Sequence, residues 1–187
     1  NLYCIKAHQN NNSICFDCYS FKMLEGLRKN CIPSWENNSV ILSTRSLSEI
    51  EIKYLNLQNE RYFRYDAHGE LINDQHFYNL VKIAEYYPNV NFRLWTKRND
   101  IVNRCIQRLN KVCIDQWFKL PDNFKLIFSN SKVDKPLKKI PAHFHMTFNN
   151  VSTLDNTVNC IGNCMDCLTC YDIDINANIQ HIVEVKK

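Results

Sequence analysis

The chain has 187 residues, of which 45% are hydrophobic and 22% are charged, and its formal net charge is +4. These values are ordinary for one globular domain, and no run approaches the roughly 18 apolar residues that a membrane-spanning helix needs. The first residues lack the apolar segment of a secretory signal peptide, so we expect a cytoplasmic protein. The mild positive charge permits contact with nucleic acid but does not by itself indicate it.

Strand-like and helix-like segments alternate along the middle of the chain. Strands are predicted where β-branched and aromatic residues cluster, over 39–43, 61–67, 91–96, 124–129, 143–148 and 179–185. Helices are predicted where apolar residues recur at helical spacing after a capping Ser, Asn or Asp, over 48–57, 73–86 and 100–110. This alternation indicates βαβ units and a mainly parallel α/β sheet. Because a complete eight-fold barrel takes about 250 residues, we expect a partial, open βα barrel.

The cysteines divide the single predicted domain, residues 1–187, into three parts. A cysteine segment over 1–35 precedes the βα core over 36–150, and a second cysteine segment with the final strand follows over 151–187. The chain has ten cysteines. A chain of this length does not need disulfides for stability, and closely spaced cysteines in a reducing compartment are typical metal ligands.

The C-terminal group consists of Cys160, Cys164, Cys167 and Cys170, which lie in one short run. A structural zinc site usually combines two CxxC pairs across a longer loop, whereas a compact run with short spacers is typical of iron–sulfur ligands. We therefore expect an iron–sulfur cluster of the [4Fe–4S] type here, with zinc as the alternative metal.

The N-terminal group contains one CxxC pair, Cys15 and Cys18, and Cys4 and Cys31 complete it as less certain members. One cluster at each end of the chain and a single cluster with ligands from both ends fit this spacing equally well.

Two further cysteines are interpreted as core residues. Cys105 lies on the apolar face of a predicted helix, and Cys113 follows that helix. Free cysteine is among the residue types most often buried, so neither is expected to be a metal ligand.

Polar side chains follow several of the predicted strands. Because the carboxyl ends of the strands carry the chemistry in barrel-like α/β folds, we expect a polar, partly basic mouth that suits a small anionic cofactor such as a phosphate. The main candidates for cofactor binding are Asp66, His68, Thr96, Lys97 and Ser129, with Thr44, Arg45, Arg98 and Asn130 at equivalent positions.

Two histidines alternate in the predicted strand over 143–148. His143 and His145 are therefore expected on one face of that strand, where a pair of imidazoles can bind metal. Exposed or hydrogen-bonded histidines are the more common outcome of such a pattern.

Several short segments carry a resemblance that covers most of the chain. They are Arg64–Glu70 (RYDAHGE), Leu80–Ala84, Tyr87–Pro88, Phe92–Lys97 (FRLWTK), the pair Cys15 and Cys18 with Tyr19, and the cysteine run that ends in Cys170 and Tyr171. Together they resemble the gene-product-88-like proteins of bacteriophages and bacteria. The chain departs from the family pattern at Asp66, His68 and Glu70, and in the long spacing between Cys4 and Cys15.

The resemblance implies a compact barrel-like α/β domain, distantly similar to radical-SAM folds, in a phage protein that acts in the bacterial host cell. It implies no settled activity, so whether the protein is an enzyme stays open. The spacing of Cys160, Cys164 and Cys167 matches a radical-SAM cluster, in which one iron is left open for the substrate. That motif normally opens the barrel, however, and here it closes the chain, with Cys170 available to fill the open position.

The leading expectation is an iron–sulfur protein with one or two clusters in a structural or redox role. One alternative is a radical-SAM-like enzyme that uses the cluster with a small anionic cofactor. The other alternative is a zinc-stabilised module that binds nucleic acid or a host protein.

Overall fold

The computed structural model describes residues 1–66, 69–112, 117–172 and 178–186. Its centre is a five-stranded, entirely parallel sheet in which the strands are neighbours in the order in which they occur along the chain. The strands are β1 (Tyr62–Tyr65), β2 (Asn91–Thr96), β3 (Phe124–Val133), β4 (Met146–Val151) and β5 (His181–Val185). The described strands form an open sheet, so the predicted α/β class and the predicted parallel pairing are confirmed.

The helices are α1 (Leu2–His8), α2 (Tyr19–Glu25), α3 (Ile32–Thr44), α4 (Glu49–Lys53), α5 (Asp74–Tyr86), α6 (Asn99–Val112) and the short α7 (Cys164–Cys167). One face of the sheet is covered by α3 to α6, and the main core lies between these helices and the strands. The side chains of Phe77 and Leu80 on α5, and of Ile101 and Cys105 on α6, are buried against strand residues such as Phe92. This packing confirms the predicted helices over 73–86 and 100–110, and it confirms Cys105 as a core residue.

The helix starts follow local capping chemistry. The side chain of Asn73 accepts a hydrogen bond from the main-chain N–H of His76 at 3.0 Å, which caps α5. Ser48 and Glu51 form a reciprocal capping box at the start of α4, as the predicted helix beginning at Ser48 requires.

The predicted strand over 39–43 is wrong, because these residues belong to α3. The run is short and apolar, and such a run does not distinguish a strand from part of a helix by its periodicity. Pro33 in the first turn favours a helix start, and within the run Ile41 and Leu42 pack against the core while Val40 is 58% exposed. Burial of two adjacent residues on the same side of a segment is typical of a helix and not of a strand.

The second face of the sheet carries its own apolar cluster. Ile127, Met146 and Ile182 form its buried centre, and Cys160 and Cys170 are among the side chains that pack against it. The alternation of strand side chains therefore turns one set towards the helices and the other towards the C-terminal cysteine segment.

Across the four described ranges, no helix combines the length and the apolar character needed to cross a bilayer.

Candidate functional site

The C-terminal cysteine segment lies against the second face of the sheet. The main-chain N–H of Cys160 donates to the carbonyl oxygen of Val183 on β5 at 3.0 Å, which fixes the start of the segment. Cys160 and Cys170 pack on the apolar cluster, whereas Cys164 on α7 is exposed. The four thiols thus belong to one loop that is anchored at both ends and open to solvent in its middle.

Arg93 on β2 holds the end of this loop. Its side chain is 2% exposed, and its Nε donates to the carbonyl oxygen of Cys170 at 2.8 Å. Its Nη2 donates to the carbonyl oxygen of Tyr171, and the Tyr171 ring packs edge-on against Trp95 with the ring centroids 5.9 Å apart. A buried guanidinium and an aromatic ring therefore fasten the chain directly after the last cysteine.

The backbone of the loop includes two left-handed residues. Gly162 has φ of +74°, and Leu168, between the third and fourth cysteines, has φ of +49°. A branched residue in this region is uncommon and costs free energy, so the surrounding hydrogen bonds must hold it there. The main-chain N–H groups of Tyr171 and Asp172 both donate to the carbonyl oxygen of Leu168, at 2.7 and 2.9 Å.

The C-terminal thiols influence one another electrostatically. Burial, together with the charges of Cys160, Cys164 and Cys167, raises the pKa of Cys170 to about 12, while Arg93 acts in the opposite direction. Thiols that resist ionisation individually become thiolates when a cation binds them, so metal binding here would release protons.

The donor chemistry of this loop fits a thiolate-bound metal, but the ligands are not preassembled. Within the described residues, no three His, Cys, Asp or Glu side chains are grouped closely enough to hold one metal ion. Closure of the loop would have to bring the four sulfur atoms together.

The N-terminal cysteine segment lies at a different place, over the carboxyl ends of the strands. The side chain of Asn1 donates to the carbonyl oxygen of Glu70 at 2.6 Å, and the guanidinium of Arg98 lies over the Tyr3 ring at 4.9 Å. An ion pair of 2.7 Å joins Asp17 to Lys186, directly after β5. The segment is therefore tied to the loops after β1, β2 and β5.

Within that segment, Cys4, Cys15 and Cys18 share a neighbourhood with Glu70. Burial raises the pKa of Cys4 to about 11, and the negative charges of Glu70, Cys15 and Cys18 contribute to the rise. Cys31 is exposed in the turn before α3. The cysteines whose charges act on Cys4 are Cys15 and Cys18, whereas those that act on Cys170 are Cys160, Cys164 and Cys167.

The polar residues predicted after β2 and β3 do meet at the carboxyl ends of the strands. Thr96 donates to the Glu70 carboxylate, which also accepts the main-chain N–H of Lys97 at 2.8 Å. The ammonium group of Lys97 donates to Ser129 Oγ at 3.1 Å. Ser129 lies inside β3 rather than after it, because that strand continues to Val133 through a register shift.

Glu70 is the centre of this cluster, although the sequence did not place it among the main candidates. It is 6% exposed, and burial raises its pKa while Lys97 and the hydrogen bonds lower it. The one sequence signal was its position after Gly69, directly behind a strand; Gly69 adopts φ of +94°, which favours glycine.

His76, which is buried, and Asp66, which is largely buried, form a second polar pair behind β1. Asp66 Oδ1 lies 3.6 Å from His76 Nε2, and in the described part of the chain Asp66 Oδ2 and His76 Nε2 have no hydrogen-bond partner. Burial and the Glu70 charge raise the pKa of Asp66 to about 7, and burial lowers the pKa of His76 to about 4. The sequence indicated Asp66 as a candidate for cofactor binding but gave no indication of a role for His76, which lies in the first turn of α5.

Other predicted positions fall elsewhere. Thr44 and Arg45 end α3 instead of following a strand, so they are not part of the mouth. His143 and His145 precede β4, which begins at Met146, so the prediction that they share a strand face is wrong. Nδ1 of the His145 ring accepts a hydrogen bond from the main-chain N–H of Leu126 at 3.1 Å. This contact with β3 gives the histidine a structural role.

Two of the predicted residues, His68 and Cys113, lie outside the described residues. A surface hollow of about 340 Å³ is lined by residues that include Phe118, Lys125 and His145. It opens at the amino ends of β3 and β4, and none of its lining residues belongs to a cysteine segment.

No curated protein and no solved structure matches this chain. The model of one family does match: that of gene product 88, over residues 6–184. This match covers nearly the whole chain, including nine of its ten cysteines, and the chain therefore belongs to the gene product 88 family.

Proposed function

We propose that this protein binds iron–sulfur clusters through the cysteine segments at its two ends, with Cys160, Cys164, Cys167 and Cys170 as the principal ligands. The observation that carries the proposal is the attachment of the C-terminal loop to the sheet by Arg93 and the apolar cluster. A loop with one exposed and three partly buried thiols, anchored at both ends, keeps its cysteines available for a metal.

A [4Fe–4S] cluster would supply one-electron transfer, or a cross-link that stabilises the fold. The chain's own residues would hold the cluster and shield it from water. The apolar cluster around Ile127, Met146 and Ile182 would exclude water from one side. Tyr171 and Trp95 would cover the edge of the loop. In this proposal the open sheet corresponds to the partial βα barrel expected from the sequence, and the metal lies on its second face.

The N-terminal cysteines are proposed as ligands of a second cluster. Cys4, Cys15 and Cys18 lie over the carboxyl ends of the strands, and Cys31 is the least certain member because it is exposed before α3. Their separate charge environments favour two clusters over one shared cluster.

The test is anaerobic purification followed by iron and acid-labile sulfide analysis, with serine variants of each cysteine group. If there are two clusters, Cys164→Ser and Cys15→Ser each remove only part of the iron. If one cluster is shared by both ends, either variant removes all of it. Colourless wild-type protein with stoichiometric zinc would replace the iron–sulfur proposal with the zinc-stabilised binding module.

A radical-SAM-like enzyme is the second candidate, and one observation favours it. Glu70, Thr96, Lys97 and Ser129 form a connected polar cluster beneath the N-terminal cysteines, at the edge where parallel α/β folds place their ligands. Lys97 would contact an anionic group of a small cofactor there, with Asp66 nearby. The reduced protein can be titrated with S-adenosylmethionine, and an unchanged EPR signal of the cluster would contradict this candidate.

A further inference from the structure

The chain carries its positive charge unevenly. Residues 132–139 (KVDKPLKK) contain four lysines and one aspartate, so this stretch has a net charge of +3 out of the +4 of the whole chain. All other residues together carry only +1. The stretch begins in the last residues of β3 and leads towards β4, and we call it the lysine loop.

In the described ranges, the lysines of this loop have no ion-pair partner. The four residues are all exposed: Lys132, Lys135, Lys138 and Lys139. None of the ion pairs among the described residues includes them. The carboxylate of Asp134 is itself engaged, since it accepts hydrogen bonds from the main-chain N–H and the hydroxyl of Ser152, at 2.7 and 2.8 Å. The lysine loop therefore presents a positive surface to solvent.

Two buried amide side chains fix the backbone of the lysine loop. Asn130 donates to the carbonyl oxygen of Lys135 at 2.8 Å, and its Oδ1 accepts the main-chain N–H of Lys132 at 3.1 Å. Asn149 on β4 is fully buried and accepts the main-chain N–H of Leu137 at 3.0 Å. Asn130 also donates to Asn149 at 3.1 Å, so the two amides form one unit. A positive surface whose backbone is already fixed loses less conformational entropy when it binds a partner.

The composition of the lysine loop favours the phosphates of duplex DNA over a membrane or a single strand. Ammonium groups contact phosphates as point charges and lack the planar fork that reads bases. No large apolar side chain of the loop is exposed, so the loop has nothing to insert into a bilayer. It also contains no aromatic residue on which an unpaired base could stack. Duplex DNA, in contrast, offers about one phosphate charge per 1.7 Å of its axis.

We propose that the lysine loop is a contact site for the phosphate backbone of duplex DNA, and that this contact is independent of base sequence. The loop spans at most about 25 Å of extended chain, which corresponds to roughly seven base pairs. The proposal does not depend on the metal content of the protein, because no residue of the loop belongs to a cysteine segment.

The experiment measures the fluorescence anisotropy of a short labelled duplex during titration with the full chain, at NaCl concentrations from about 50 to 200 mM. The loop variant combines Lys132→Ala, Lys135→Ala, Lys138→Ala and Lys139→Ala. The control variant removes four exposed lysines elsewhere in the chain: Lys22→Ala, Lys29→Ala, Lys53→Ala and Lys111→Ala. The two variants lose the same net charge. Circular dichroism checks their folding, and the double variant Lys138→Ala with Lys139→Ala replaces a loop variant that does not fold.

Wild-type protein is expected to bind duplexes of different sequence with equal affinity. Each ammonium–phosphate contact contributes about 0.9 to the slope of the logarithm of the binding constant against the logarithm of the salt concentration. The loop variant should therefore lose about 3 units of slope and bind about tenfold or more weakly at the lowest salt concentration. The double variant should lose about half as much slope, and the control variant should keep a slope within about one unit of wild type.

Equal losses of slope in the loop variant and the control variant would overturn the proposal, because binding would then follow net charge and not the loop. A wild-type chain that leaves the anisotropy unchanged at the lowest salt concentration would overturn it as well. Two comparisons test the choice of partner. Tighter binding of a single strand of the same length, or sedimentation with phosphatidylserine vesicles without any binding of the duplex, would overturn the assignment to duplex DNA.

Discussion

The carboxylate of Glu70 accepts the main-chain N–H of Lys97 at 2.8 Å, so the loop after β1 is joined to the loop after β2 by a buried charged group. The same carboxylate accepts hydrogen bonds from Leu71 N–H and from Thr96. Because Asn1 donates to the Glu70 carbonyl oxygen, the N-terminal cysteine segment rests on this junction. Glu70 therefore connects the proposed second cluster with the polar groups at the carboxyl ends of the strands.

Replacement of Glu70 by glutamine should destabilise the protein by about 2 kcal/mol at neutral pH, because an amide NH₂ would face a main-chain donor in a buried site. The free energy of unfolding from a urea titration measures this. Glu60→Gln, at an exposed position, is the matched control and should change stability by less than about 0.5 kcal/mol. Equal stability of the two variants would show that the Glu70 contacts contribute little.

Asp66 and His76 should give opposite pH dependences of stability. The pKa of Asp66 is raised from 3.8 to about 7 on folding, so its contribution is fully present below about pH 4 and is lost as the pH rises towards 7. The pKa of His76 is lowered from 6.5 to about 4, so the unfolded chain gains a proton first, and stability is lost as the pH falls from 6.5 towards 4. In the wild type these two trends oppose each other.

The variants Asp66→Asn and His76→Gln separate the two trends. Asp66→Asn retains the histidine effect, so its stability should decline more steeply than that of wild type on acidification below about pH 6.5. His76→Gln retains the aspartate effect and should lose stability as the pH rises from about 4 to 7, relative to wild type. Thermal unfolding midpoints across this range test the pair, and parallel pH profiles of the two variants would contradict the assignment.

Asn79 on α5 is predicted to be a strong determinant of stability. It is fully buried, its Nδ2 donates to the carbonyl oxygens of Leu42 and Arg45 at 2.8 Å each, and its Oδ1 accepts the Leu47 N–H at 3.0 Å. Asn79→Leu would leave these main-chain groups without their partner, which should cost about 3 kcal/mol of unfolding free energy. Asn59→Leu, on the surface, should cost far less in the same urea titration.

Cys105 and Cys164 should respond in opposite ways to replacement by alanine. Cys105 is fully buried among the core residues, so Cys105→Ala should lower the free energy of unfolding by about 1 kcal/mol and leave the iron content unchanged. Cys164 is exposed, so Cys164→Ala should remove cluster iron without a comparable loss of core packing. Iron analysis and denaturation of the two purified variants measure both effects, and loss of iron in Cys105→Ala would contradict its role as a core residue.

The helices and strands of the middle of the chain could be predicted because their patterns are long and locally consistent. The helix over 73–86 has a cap at Asn73 and a repeating apolar face, and both features survive in the structure. The prediction of a strand over 39–43 failed because five apolar and small residues fit the periodicity of a helix as well as that of a strand. The end of α3 is held by Asn79, whose side chain donates to the carbonyl oxygen of Leu42, 37 residues earlier in the sequence.

The site was less predictable than the fold, because its residues are brought together by tertiary contacts. Thr96 and Lys97 followed from their place after a strand, since parallel strands bring such positions to one edge. The sequence does not predict the positions of Glu70, His76 and Arg93, because no local sequence feature distinguishes a buried charged or polar residue from a solvated one. The placement of the two cysteine segments, on the second face and over the carboxyl ends, likewise depends on contacts such as Asp17 with Lys186.

The central claim is tested most directly by metal and sulfide analysis of the wild-type chain purified without oxygen. The proposal predicts brown protein with roughly four iron atoms and four acid-labile sulfides for each [4Fe–4S] cluster. Colourless protein that lacks sulfide and carries zinc, or no metal at all, would contradict it.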